Sequence, residues 1–265
     1  MIRPDSREIP VSTEKIGGNS DTAFLKLLAL ALMLIDHLGA TLLPKIPELR
    51  IIGRMAFPLY AWCLVVGSVK TRSPLRYGLR LLVMAVVSQP LYMMALNHTW
   101  ANMNILFTLL IALVAIQGIR VNRYGSAFWV PALCFFALSY LKVDYGWKGV
   151  AFIIVLYLAR ERRSGLCAAF LAYSLFWGST SSVVRSFLGI DLAFSKLGEL
   201  GTVLGSFFRL QGMIWLALPL IACTTHTHLR MPKWLGYGLY PLHLVLLIIL
   251  KLLNGYTLQT LMNGF

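Results

Sequence analysis

Acidic side chains are scarce in this chain: 10 Asp and Glu stand among 265 residues, against 24 Lys and Arg. Charge of either sign makes up only 13% of the residues, where a soluble domain carries about 25%. That shortage excludes a water-covered globule of ordinary composition. The cysteines, Cys63, Cys134, Cys167 and Cys223, all fall in apolar stretches and show no CxxC spacing. They read as small buried hydrophobes, neither bridged nor metal-bound. There is also no visible internal repeat and no low-complexity tract.

What is present is apolar sequence. Hydrophobic residues reach 58% and the mean hydropathy is +0.73, which places the chain among membrane proteins. A net charge of +14 would suit nucleic acid, but the basic residues punctuate the apolar segments and form no stripe or arm. Cytoplasmic loops are marked in that way, so no nucleic-acid partner is expected. A membrane span needs about 20 apolar residues. The candidates are 22–43, 51–69, 77–96, 103–119, 125–141, 145–159, 166–178, 209–223 and 235–253. The expected fold is thus an all-α polytopic bundle of nine spans, or ten if the semi-amphipathic stretch 179–208 crosses. Residues 1–21, polar and mixed in charge, read as a disordered tail, 22–254 as the membrane domain, and 255–265 as a C-terminal tail.

Loop charge predicts the orientation. Lys70, Arg72, Arg76, Arg120, Arg123, Arg160, Arg162, Arg163, Arg230 and Lys233 fall on one side, together with Arg3, Arg7 and Lys15 of the tail. They outnumber Lys45, Arg50, Lys142, Lys148, Arg185 and Lys196 on the other by about two to one. The N-terminus is therefore expected in the cytoplasm.

The most informative residues are Asp36 and His37, adjacent and deep within the first span. An ionisable pair at bilayer depth costs free energy unless it lines a cavity, carries ions or does chemistry. Lys26 lies three helical turns before His37 on the same face, while Asp36 is rotated by about 100°. Adjacent residues do not point at each other, so Asp36 is expected to pair with Arg54 in Gly53-Arg54-Met55-Ala56-Phe57-Pro58. An inert Asp36–Arg54 pair, with His37 bonded to a backbone carbonyl, is the bland alternative. Pro58 is expected to loosen a turn of the second span. Gln89 and Asn104 are isolated amides that suit interhelical glue. Asp144-Tyr145-Gly146-Trp147-Lys148-Gly149 opens a helix, as a plain turn or as part of a site, and Tyr240-Pro241-Leu242-His243 puts a second His in an apolar helix. His226 and His228 have an i, i+2 spacing without further ligands, so no metal is expected; His98 carries no signal.

The run Leu25-Lys26 through Asp36-His37, then Gly53-Arg54-Met55-Ala56-Phe57-Pro58-Leu59, resembles the TraX family of membrane proteins. Asn104-Ile105-Leu106-Phe107, Tyr145-Gly146-Trp147-Lys148-Gly149 and Tyr240-Pro241-Leu242-His243-Leu244 look like its later motifs in the same order. The named member of that family is the conjugative F-pilin acetylase. The resemblance implies a transmembrane acyltransferase of the bacterial inner membrane that uses acetyl-CoA and acylates an amine or hydroxyl. The acceptor would be a pilin-like protein, a glycan or a lipid.

Acyl transfer needs a base for the acceptor proton, which His37 suits, with Asp36 beside it as catalytic partner. Donors for the thioester oxygen would come from Arg54, Asn104 or Tyr145. Tyr240 and His243 complete the expected substrate site. A CoA donor carries phosphates, so Lys26, Arg72, Arg76 and Arg80, with Lys70 nearby, are expected to hold it from the cytoplasmic side. These cations otherwise only set topology, Lys26 snorkelling to the interface. A proton-coupled transporter using Asp36, His37 and His243 is the competing reading, and the absence of visible repeats counts against it. A non-catalytic membrane assembly factor is a third.

Overall fold

Helix α1 (Thr22–Thr41) begins where the Asp21 carboxylate accepts from the Phe24 N–H at 3.3 Å. Its buried positions, Leu25, Ala29, Leu32, Met33, Asp36 and His37, recur every three or four residues. One broad stripe therefore carries the apolar contacts and the acid–imidazole pair together. The computed structural model describes residues 14–184, 186–187, 190–191, 198–229 and 231–262. Residues 1–13 of the expected tail, and Arg185, Lys196 and Arg230 among the loop charges, lie outside the described residues.

The chain is an all-α bundle, with 72% of the described residues helical. After α1 come α2 (Pro47–Gly53), α3 (Ala56–Lys70), α4 (Pro74–Leu96), α5 (Ile105–Val121), α6 (Ser126–Leu138), α7 (Gly146–Ala159) and α8 (Arg163–Ser179). Then follow α9 (Gly198–Phe207), a 3-10 turn (Gly212–Ala217), α10 (Leu218–Ala222), α11 (Lys233–Leu253) and α12 (Leu258–Leu261). Among the described residues, Thr22–Thr41, Pro47–Lys70 and Pro74–Leu96 are long and apolar enough to cross a membrane. The remaining apolar helices are shorter. Helix α3 is the hub, apolar all round and buried along almost its whole length, from Phe57 and Trp62 to Val69. Helices α1, α5 and α7 pack around it, and α11 lies against α1 and α4.

Two expectations are corrected, and one is met. The expected span 51–69 lies within the apolar segment Pro47–Lys70. Its helix is interrupted at Arg54–Met55, as expected from Pro58, which has no N–H to donate to the Arg54 carbonyl four residues earlier. The span 209–223 is a tight 3-10 turn followed by short α10, whose start carries Pro219. The described part of the expected disordered tail is a strap. Glu14 bridges Arg120 (3.0 Å) and Arg160 (2.8 Å), the Gly17 N–H donates to the Arg160 carbonyl at 2.7 Å, and the Trp62 indole donates to the Asn19 carbonyl at 2.6 Å. Asn19 also reaches the Leu220 carbonyl and Thr225. At the other end, Leu261 is buried and a Thr257–Thr260 capping box starts α12. The stretch 179–208 contains a small hairpin, β3 (Ser186–Phe187) with β4 (Ile190–Asp191), and then α9. Helix α9 has 10 residues, about 15 Å at 1.5 Å each, half of a ~30 Å hydrocarbon core.

Two devices position the site. Gly53 lets α2 press onto α1, because a Cβ there would stand 2.6 Å from the Asp36 Cα. A short parallel pair, β1 (Asn102–Met103) with β2 (Lys142–Val143), brings the start of α7 beside the start of α5. Gly53→Ala should destabilise the protein by about 1–3 kcal/mol by wedging the two helices apart. Gly78→Ala, whose Cβ would meet Leu110 at an ordinary 3.7 Å, should be close to neutral. Thermal melts in detergent give the comparison, and equal effects would contradict this account of the α1–α2 contact.

Candidate functional site

Asp36 is held by two guanidiniums from α2 and the turn after it. Arg50 Nη1 donates to Asp36 Oδ2 at 2.6 Å and to the Asp36 carbonyl at 3.1 Å. Arg54 Nε donates to Oδ1 at 3.1 Å, and Arg54 Nη2 closes a second bond to Oδ2. The bidentate fork fixes the carboxylate in plane, and both oxygens are engaged. The expected Asp36–Arg54 pair is present. Arg50, which loop-charge counting placed on the outer surface, joins it. Spacing held the clue: Arg50 and Arg54 stand four apart and share a helical face.

The triad forms one wall of a cavity of about 290 Å³, which His37, Asp144, Tyr145 and Tyr240 also line. The Tyr145 ring stacks on Phe57 with centroids 4.1 Å apart, 5.7 Å from the Arg54 guanidinium carbon. His37 stacks on His243 at 5.4 Å and 20°, and His243 meets Tyr240 edge-on at 5.0 Å. The buried Nδ1 of His37 has no hydrogen-bond partner among the described residues, so the ring is not tied to a backbone carbonyl through that nitrogen.

Asp144 was not singled out within its motif. Its N–H donates to the Met103 carbonyl (2.9 Å), its carbonyl accepts from Thr108 Oγ (2.5 Å), and its Oδ1 accepts from the Tyr145 N–H (3.0 Å). Tyr145 (φ +62°) and Gly146 (φ +56°) are both left-handed. For a tyrosine this conformation costs of the order of 1–3 kcal/mol. Burial pushes the Asp144 carboxyl up to about 6, although the Arg54 charge pulls it down. His98 also reaches this cavity, stacked on Tyr92 at 5.1 Å; burial lowers its imidazole. A lone loop histidine gives no sequence cue to that place.

A second cavity of about 680 Å³ opens around the first half of α1 and the start of α4. Lys26, Lys70, Arg72, Arg76 and Arg80 line it, so the four cations expected to hold a phosphorylated donor share one cavity. Tyr240 lines both cavities. Asn104 lies on neither. Its Nδ2 donates to the Ala85 carbonyl (2.8 Å) and Gln89 Oε1 (2.9 Å), and its Oδ1 caps α5 through the Leu106 N–H (3.0 Å). Its donors are spent tying the start of α5 to α4, while Gln89 Nε2 donates to the Asn102 carbonyl of β1 at 2.8 Å, so Asn104 is corrected from oxyanion donor to structural amide.

The family model for TraX protein matches residues 21–251. The chain belongs to the TraX family. Among curated relatives of this TraX chain, the probable fimbrial assembly protein FimC, serogroup H1, of Dichelobacter nodosus is 33% identical over 165 residues. That match covers 56% of this chain and 66% of the relative. The uncharacterized protein RP591 of Rickettsia prowazekii (strain Madrid E) is 28% identical over 149 residues, 54% of this chain and 57% of the relative. The TraX chain thus spans 66% and 57% of the lengths of these two relatives. No solved structure matches it.

Removing one partner of a buried ion pair strands the other's charge, at a cost of roughly 3–5 kcal/mol. Arg54→Gln should approach that loss, its side chain being 6% exposed. Arg50→Gln, at 30% exposure, should lose clearly less because water screens it. Thermal melts in detergent rank the two, and equal losses would contradict this picture of the triad.

Proposed function

We propose that this TraX-family chain is an integral membrane acetyltransferase that moves an acyl group from acyl-CoA to an amine or hydroxyl acceptor. The observation that carries the reading is the shared wall at Tyr240, where a cation-lined cavity and a cavity bearing a histidine and two arginines meet. A CoA molecule pairs phosphates at one end with a thioester at the other, and a basic cavity leading to a polar one suits both. Lys26 and His37 are 11 residues apart on α1, about 16.5 Å, a distance that a pantetheine arm bridges. The loop charges put the basic cavity on the cytoplasmic side of a bacterial inner membrane, with the N-terminus inside.

In this reading the acceptor N–H or O–H gives its proton to His37 while the heteroatom attacks the thioester carbon. The carbonyl electrons move onto oxygen, where Arg54 and Tyr145 offer donors on the cavity wall. The C–S bond then breaks, and His37 returns the proton to the departing sulfur, leaving CoA as its thiol. Asp36 acts through geometry: it fixes Arg54 and Arg50 beside the reacting centre. His243 backs the His37 ring. The transporter reading would use Asp36 as a relay, but both of its oxygens are already engaged by guanidinium groups. The acceptor is a pilin-like protein, a glycan or a lipid; the name of the fimbrial relative favours the first.

His37→Ala should reduce acyl transfer by at least ~10²-fold, the scale of a lost general base, while the protein still inserts and binds CoA. Charge reversal at Lys26 together with Arg80 should weaken CoA binding to nanodisc-embedded protein far more than reversal at Lys142. Calorimetry reads the binding and radiolabelled acetyl-CoA with native membranes reads the transfer. Full turnover in His37→Ala, or equal binding losses from both ends, would overturn the assignment.

A further inference from the structure

Asp144 differs from every other charged group around the smaller cavity. Asp36 is saturated: two arginines donate to its two oxygens. Asp144 lines the same cavity, yet only the Tyr145 N–H donates to its carboxylate, at 3.0 Å, and no group among the described residues donates to its other oxygen. No cation stands within ion-pair distance of it among the described residues, although Arg50 and Arg54 leave the triad with one surplus positive charge.

The placement is built. The backbone of Asp144 is pinned on both sides, to the Met103 carbonyl and to Thr108 Oγ. The next two residues take left-handed conformations, one of them a tyrosine locked by its stack on Phe57. The pinned backbone leaves the Asp144 side chain on the lining of the cavity that Arg54 also lines, with no ion pair between the two.

We propose that Asp144 seats the acyl acceptor, its unpartnered carboxylate oxygen accepting a hydrogen bond from an N–H or O–H that the acceptor carries next to its nucleophile. The substrate class follows: a molecule that presents donors at this point, an amine or a polyol, and not a carboxylate or phosphate, which Asp144 repels. The inference rests on the acyltransferase reading for the identity of the seated molecule. The seat itself is tested without any acyl transfer.

The full-length protein in nanodiscs is treated with a carbodiimide and a small amine, and labelling is read by mass spectrometry with exposed Glu161 as internal reference. Millimolar probes are a short peptide with a free α-amine, a hexose and inorganic phosphate. The seat requires that Asp144 be labelled and that the peptide or the hexose protect it, which also tells amine from polyol; phosphate should not protect. Labelling that no donor probe reduces, protection by phosphate, or an Asp144 that never reacts overturns the proposal. Asp144→Asn keeps an oxygen for the Tyr145 N–H and puts a donor where the acceptor's donor would sit. With native membranes as acceptor source, it should raise the apparent KM for acceptor at least tenfold with CoA affinity within twofold of wild type. A defect confined to CoA binding would overturn the assignment. Failure of wild type to bind CoA, with probe protection intact, would instead overturn the acyltransferase reading and leave the seat standing.

Discussion

The bundle depends on one buried carboxylate. Asp36 cannot lie at its depth in α1 without a countercharge, and two arginines reach it because α2 presses onto α1 at Gly53. The second hydrophobic segment is interrupted beside that contact, at Arg54–Met55, where Pro58 offers no N–H to the Arg54 carbonyl. Beyond Arg54–Met55, α3 runs down the centre with α1, α5 and α7 packed around it. The same triad makes one wall of the smaller cavity. Fold and site therefore share a single electrostatic constraint.

Much of this was readable from composition and spacing, and the misses have physical causes. The apolar runs announced the helices. The cost of a carboxylate at bilayer depth pointed to a partner such as Arg54. Arg50 was missed because counting loop charges treats a cation near a helix end as a surface marker, and only its four-residue step to Arg54 says otherwise. Asn104 looked like an available donor because nothing local reveals that Gln89 and the Ala85 carbonyl consume it. The strap at Glu14–Asp21 was hidden for a similar reason. Its partners, Arg120, Arg160, Leu220 and Thr225, lie more than a hundred residues away in sequence.

The two cavities divide the work by charge. One collects cations with few acids to offset them, the chemistry of a polyphosphate site. The other balances two arginines against two carboxylates and adds a histidine whose Nδ1 no described group occupies. Tyr240 stands where they meet, close behind His37 through His243. In the proposed reaction, the donor would enter through the cation-lined cavity and the acceptor through the other, meeting at Tyr240.

The most direct test is a structure of the full chain in nanodiscs with a non-hydrolysable acyl-CoA analogue. The account predicts the phosphates among Lys26, Arg72, Arg76 and Arg80, the pantetheine arm along α1, and the carbonyl carbon beside Tyr240 and His37. An analogue bound with its nucleotide in the cavity of Asp36 and Asp144, or on the surface away from both cavities, would contradict it.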